Sequence, residues 1–327
     1  MKKIIACVIA VMMVLSLAAC GSQAPANTTP TGYTYKVAIV QQLDHSSLDE
    51  IRLAVTAQLE ALASEKGIGI LIEDFNGQND GSVLNQIGTQ VVDDGFDIII
   101  PIATTAAQCM VTAADGTDIP IVYAAISDPE TAGLTGIPTV TGVSDALNTP
   151  FILDMMLSAQ PDIRSVGLLY SLSEPNSATP IAQAKEYLTA KGINVIEKTG
   201  NTVDEVNTAA STLVGQVDAV FTPTDNAVMA AAGSVAEVFA EAGIAFYTGA
   251  DSFVLSGAFT TCGVNYTELG TKTADMAFAI LQGGDIGDYH VMEGGIITVN
   301  TETAAALGID YSVFSEMANT VNEVTTG

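Results

Sequence analysis

The segment VDAVFTPTDNAVM, residues 217–229, is laid out like FDIIIPIATTAAQ, residues 96–108. In each, an aspartate (Asp218, Asp97) precedes a short apolar run that meets a proline (Pro223, Pro101). Small polar residues follow, and then an apolar, alanine-rich run begins. That layout is a buried strand giving way to a helix. Aligning Asp97 with Asp218 sets Thr104 opposite Asp225 and Thr105 opposite Asn226. Such residues suit a helix N-cap, but a carboxylate and an amide answering two hydroxyls also suit the two ends of a polar ligand.

Working outward, KVAIV (36–40) reads as a strand, and the next segment carries Ile51, Val55, Leu59 and Leu62 at helical spacing before Gly67. GILIED, FDIIIPI and IPIVYAAI are further strands, each one helix-length from the last. This alternation predicts a parallel sheet with helices on both faces. The pattern then restarts. SVGLLYS (165–171) stands for KVAIVQQ, EYLTAKGINVIEK echoes EALASEKGIGILIED, and DIPIVYAAISD (118–128) parallels GIAFYTGAD (243–251). The expected fold is therefore α/β: two Rossmann-like lobes, each with a central parallel sheet flanked by helices. Ligands of such sheets bind beyond the carboxyl ends of the strands. Thr104, Thr105, Ser127, Asp128, Asp225, Asn226 and Asp251 all fall at such ends.

Composition narrows the function. The chain has 327 residues, 37 acids against 10 basic residues and a net charge of −27, which argues against nucleic acid as a partner. Residues 1–19 have a basic start (MKK) and an apolar stretch, the pattern of a secretory signal. LAAC (17–20) looks like a lipobox, with Cys20 the lipidated residue. Residues 20–34, rich in Pro, Thr, Gly and Asn, read as the lipidated cysteine and a flexible tether. Cys109 and Cys262 are then the remaining thiols, free or bridged, and the histidines are His45 and His290. No zinc pattern arises, and no metal or other cofactor is expected. Nor is there a G-x-S-x-G, Walker or H-E-x-x-H motif, so no enzyme is expected.

Seven motifs in order resemble the tryptophan/tyrosine-type substrate-binding lipoproteins of ABC importers. They are Q-x-x-x-H-x-x-L-D (Gln41, His45, Leu48, Asp49), ATTAAQ (103–108), IPIVYAAISDP (119–129), TGVSD (141–145), LLYSLSEPNS (168–177), VDAVFTPTDN (217–226) and LGTKTADMAFAILQGG (269–284). The chain departs from that family at Ser46 and Thr105, where proline is common, and at Cys109, where small residues are usual. The resemblance implies a type I periplasmic-binding-protein fold with crossings near 141–145, 260–266 and 292–300. Lobe 1 would comprise 35–144 plus 264–292, and lobe 2 would comprise 145–263 plus 293–327.

It also implies a monomer, lipid-anchored to the outer face of the bacterial cell membrane, that delivers a small molecule to an ABC permease and its ATPase. For an amino acid, charge matching assigns Thr104 and Thr105 to the carboxylate and Asp225 to the ammonium, with Asp128 and Asp251 behind it. Asn176 and Asn226 would orient the head group, and Gln41 and Ser127 would complete the cage. His45 is a ligand contact or a helix start. Tyr123, Tyr170 and Phe151 are candidates to pack on an aromatic side chain. A sugar or nucleoside on the same fold remains the alternative, followed by a two-lobed secreted enzyme or sensor. The absence of tryptophan from the chain disfavours a sugar.

Overall fold

In the computed structural model, residues 34–327 are described. The expectations for the signal segment, for Cys20 and for the tether up to residue 33 lie outside the described residues. The first half runs β1 (Thr34–Gln41), α1 (Ser46–Lys66), β2 (Gly69–Asn76), α2 (Gly81–Asp93), β3 (Ile98–Ile102), α3 (Thr104–Ala113), β4 (Ile121–Ala124) and β5 (Val140–Ser144). Next come α4 (Thr149–Ala159), β6 (Ser165–Tyr170), α5 (Pro175–Ala190), β7 (Asn194–Thr199), α6 (Val203–Leu213) and β8 (Ala219–Thr222). The second half continues with α7 (Asn226–Ala230), α8 (Ala232–Glu241), β9 (Ala245–Thr248), α9 (Asp251–Leu255) and β10 (Thr260–Gly263). Then follow α10 (Tyr266–Leu281), β11 (His290–Val291), β12 (Ile296–Asn300), α11 (Thr301–Leu307), α12 (Phe314–Met317) and β13 (Thr320–Val324).

The strands form two sheets, ordered β11-β5-β4-β3-β1-β2 and β13-β12-β10-β9-β8-β6-β7. The inner order β5-β4-β3-β1-β2 recurs as β10-β9-β8-β6-β7, so the internal repeat of the sequence is a repeat of topology. Pairing is parallel throughout except between β10 and β12. The aligned aspartates do the same work in both halves. An Asp97 carboxylate oxygen accepts the Lys36 backbone N–H at the start of β1, at 2.8 Å. An Asp218 oxygen accepts the N–H groups of Arg164 and Ser165 at the start of β6, each at 2.8 Å. A parallel strand leaves such end groups without a ladder partner, and an acceptor from the neighbouring strand supplies one.

Helices cover the sheets because the strands are apolar on both faces; every residue of β3, β4, β5, β8 and β9 is buried. Each fully buried aliphatic side chain contributes about 1.5–3 kcal/mol. Sequence fixes the helix ends as well. Gly67 closes α1 in the left-handed conformation (φ 66°), its N–H turned back to the Ala63 and Ser64 carbonyls. Asp80 caps α2 by accepting from Ser82 and Val83.

The chain leaves the first sheet after β5 and enters the second through α4. It returns after β10, where α10 packs on α1, and crosses a last time between β11, paired to β5, and β12, paired to β10. Among the described residues, no helix is long and apolar enough to cross a membrane.

The α10–α1 contact depends on Gly270. A Cβ there would stand 2.7 Å from the Ile51 carbonyl oxygen and 2.7 Å from the Ala54 Cβ. Gly270→Val is expected to force these helices apart and to lower stability by about 1–3 kcal/mol. Urea unfolding would show this as a lower midpoint, and an unchanged midpoint would contradict the packing described.

Candidate functional site

The strand-order reversal in each sheet lies beside β1 and β3, or β6 and β8, and the loops after those strands meet across one cleft. From the first sheet come Gln42, His45 and Ser47 after β1, Ala103 before α3, Ser127 beyond β4 and Asp145 beyond β5. From the second come Glu174 and Asn176 after β6, Thr224–Asn226 after β8, and Ala250–Phe253 after β9. Ala103 (φ 76°) and Ala125 (φ 57°), both lining the cleft, hold conformations that L-residues seldom adopt. Each costs about 1–3 kcal/mol, and strain of this kind collects at functional rims. Gly249 allows the β8 and β9 loops to nest: a Cβ there would be 2.7 Å from the Thr224 nitrogen.

Polar groups of the two sides bond directly to each other. Gln42 Nε2 donates across to Glu174 Oε1 at 2.8 Å, and within the second side Asn226 Nδ2 donates to Glu174 Oε2 at 2.7 Å. His45 Nε2 meets Asn226 Oδ1 at 3.0 Å. Burial holds His45 below its ordinary pKa, so the ring is neutral and Nε2 carries the donated proton. The Ser127 and Thr224 hydroxyls pair at 3.1 Å, and Ser47 pairs with Ser252. At the rim, Thr179 donates to Asp128 at 2.8 Å. What remains between the sides is a cavity of about 20 Å³, room for one or two waters. Its walls join His45, Asn176 and Asp145 to apolar Leu48, Met229 and Phe253.

Two carboxyls dominate its electrostatics. Glu174 is 3% exposed; burial, with the Asp225 carboxylate beside it, pushes its pKa up to about 8. Asp145 is buried, its Oδ1 accepting from Ser127 Oγ at 3.0 Å and its Oδ2 from the Tyr266 hydroxyl at 3.2 Å. Neither donor is a cation, and burial raises this carboxyl too.

The structure redistributes the sequence-derived roles. Asp225 lies at the cleft, as does Asn226, but its carboxylate is fully engaged: Oδ2 accepts from Ser171 N–H (2.7 Å) and Ser177 Oγ (2.6 Å), and Oδ1 caps α7 through Val228 N–H (2.9 Å). In this structure it is a helix cap whose two oxygens already hold three donors. Asp128 is held at the rim by Thr131 and Thr179. Asp251 opens α9 and faces a crevice with Thr261 and Asn322, away from the cleft cavity. Gln41 Nε2 organises the β1–α1 loop through Leu43 and Asp49.

Asn176 donates to the Thr224 carbonyl at 2.6 Å and has Oδ1 unpartnered. The buried Thr104 hydroxyl and that of Thr105 are also unpartnered, at the start of α3, where the N-cap residue Ala103 offers no side-chain acceptor and Gln42 Oε1 accepts the Thr105 N–H at 3.2 Å. Among the aromatics, Tyr123 is core, Tyr170 bonds Glu197 at the surface, and Phe151 lines a different cavity. Asp145, Glu174, Gln42, Tyr266 and Phe253 were not singled out from sequence. Asp145 and Glu174 nevertheless close or sit within the motifs TGVSD and LLYSLSEPNS.

Comparison with known proteins agrees with this geometry. The chain matches the family model for ABC transporter substrate binding proteins over residues 36–320. It is 32% identical to a tyrosine-binding protein of Clostridioides difficile (strain R20291), covering 94% of this chain and 92% of that one. A Streptococcus pneumonia ABC domain in complex with L-Trp superposes with a TM-score of 0.82 at 27% identity, covering 88% of this chain and all of that one. A ligand-free, open substrate-binding protein with adhesive properties from Clostridium difficile gives 0.66 at 32% identity, covering 90% of this chain and all of that one. The chain belongs to the ABC transporter substrate-binding proteins, on a type I periplasmic-binding-protein fold. Better superposition on the liganded relative than on the more similar but open one matches the shut cleft. Sugar-binding neighbours at 14–17% identity share the fold alone.

Glu174 makes the shut cleft sensitive to pH. Between its ordinary 4.5 and about 8, the unfolded chain releases a proton that the folded cleft keeps. Stability therefore falls as pH rises through that window. His45, held low, acts in the opposite sense only below 6.5. The urea midpoint of the ligand-free protein is expected to fall between about pH 6.5 and 8, and Glu174→Gln is expected to flatten that slope. A slope unchanged in the variant would remove Glu174 from this role.

Proposed function

We propose that the protein is the extracytoplasmic, lipid-anchored capture component of an ABC importer and that its ligand is an aromatic amino acid. The observation that carries this reading is Asp145, a buried carboxylate in the cleft wall with two hydroxyl donors and no cation. A ligand ammonium supplies the missing charge. The α-carboxylate goes to the other side of the head group, at the start of α3, where the Gln42 side chain now accepts the Thr105 N–H at 3.2 Å. There the Thr104 and Thr105 hydroxyls lack partners and the helix dipole favours an anion. Phe253, Met229, Leu48 and the Tyr266 ring form the apolar wall for an aromatic side chain. The tyrosine-binding relative and the L-Trp-bound neighbour support the same ligand class.

The two sheets act as lobes that part about the three crossings, since a cavity of about 20 Å³ holds no amino acid. The ligand enters the open form and replaces direct contacts such as His45 with Asn226 and Ser127 with Thr224. Closure then buries the zwitterion with each charge matched, and the closed form is what the permease receives.

Titration calorimetry with L-Trp, L-Tyr and L-Phe tests the reading, with glucose and adenosine as controls. Binding of an aromatic amino acid is expected, weakened about two to three orders of magnitude in Asp145→Asn, the scale of an unmatched buried charge. Response to a control alone would overturn the ligand class. Asp225→Ala should lower unfolding stability by about 2–4 kcal/mol, because it strips three donors of their acceptor. Unchanged stability, with binding lost, would return the ammonium role to Asp225.

A further inference from the structure

Beyond the cleft, on the far side of Asp145 and Tyr266, lies a second cavity of about 680 Å³. All three crossings line it: Asp145–Asn148 from the first, Gly263–Val264 from the second, Gly294–Ile296 from the third. The remaining wall comes from Phe151 of α4, Cys262 of β10 and the segment 315–320 at α12. Its size is that of a small-molecule site. Its chemistry is one-sided: among the described residues, the charged groups in the wall are Asp145 and Glu316, no lysine or arginine lines it, and Phe151, Val264, Ile296 and Met317 supply apolar surface.

We propose that this hinge cavity is a second ligand site, for a small amine carrying an aromatic or aliphatic body, and that its occupancy is coupled to the amino-acid cleft. The ammonium group meets Glu316, since Asp145 is committed to the cleft ligand, and the body packs on Phe151 and Met317. An anion finds no counter-charge there. Coupling follows from position. Rotation of one sheet against the other must reshape a cavity whose walls are the crossings themselves, so an occupant binds the shut and open forms unequally. The cavity is formed while the cleft is shut; its occupant therefore stabilises that form and tightens the cleft's hold on its own ligand. Asp145 and Tyr266 are common to both linings, which gives the two sites a shared wall.

Tryptamine is the amine for the test, with indole-3-acetate as the anionic control. Calorimetry without any amino acid measures the site by itself, so this arm stands whether or not the amino-acid reading does. The coupling arm rests on that reading. Two variants fill the cavity without touching the cleft. Both lie on the α12 side, clear of the crossings: Met317→Trp and Ala318→Phe. Tryptamine is expected to bind one per chain, to resist displacement by saturating L-tyrosine, and to raise L-tyrosine affinity at least about fivefold. Indole-3-acetate should not bind, and both filling variants should lose tryptamine while keeping L-tyrosine. Absence of tryptamine binding, its displacement by L-tyrosine, or unchanged binding in both variants would overturn the proposal.

Discussion

A carboxylate taken out of water must be given something in return, and Asp145 is given two neutral hydroxyls. The imbalance is costly in a low-dielectric wall. It stands at the first crossing, where both sheets and the hinge meet. On the proposed reading, a cation arriving in the cleft relieves it as the two sides come together around that cation. Recognition and closure are then one event. The same constraint explains why the neighbouring polar groups are small hydroxyls and amides. They satisfy one another when the cleft is shut and are easily released to a ligand.

Glu174 illustrates a second solution to the same constraint. With Asp225 beside it, two full negative charges would share one buried pocket, and Glu174 keeps its proton through neutral pH. Asp225 can then remain an acceptor for two backbone N–H groups and a serine. Gln42 directly, and Asn226 through His45, carry the arrangement across to the first sheet. Three acids within one cleft thus stand in three different settings: a cap, a protonated bridge, and a carboxyl held by two hydroxyls.

The architecture was legible because it is written in local patterns. Apolar strands, helical spacing ended by Gly67, and the Asp97/Asp218 correspondence each persist in the structure, and the last proves to be a shared strand-start hydrogen bond. Strand ends also named loops that meet at the cleft, because a parallel sheet gathers the loops after its strands at one edge. Roles within the loops were harder to read. Asp225 looked like an ammonium partner, but three donors that surround it come from residues 171, 177 and 228. Two of those lie about fifty positions away, and no spacing rule connects them. Asp145 was passed over because it follows a strand at a crossing, and only the meeting of Ser127, Tyr266 and the second sheet makes it special. Phe253 was hidden for a similar reason: an aromatic in a short helix reads as core until the opposite wall is in place.

A structure of the protein with bound L-tyrosine or L-tryptophan addresses the central claim most directly. The account predicts the ligand ammonium within hydrogen-bonding distance of the Asp145 carboxylate and the ligand carboxylate at the start of α3, with the Asp225 contacts to Ser171 and Ser177 intact. An ammonium seated on Asp225, or a ligand bound with Asp145 still facing only Ser127 and Tyr266, would contradict it.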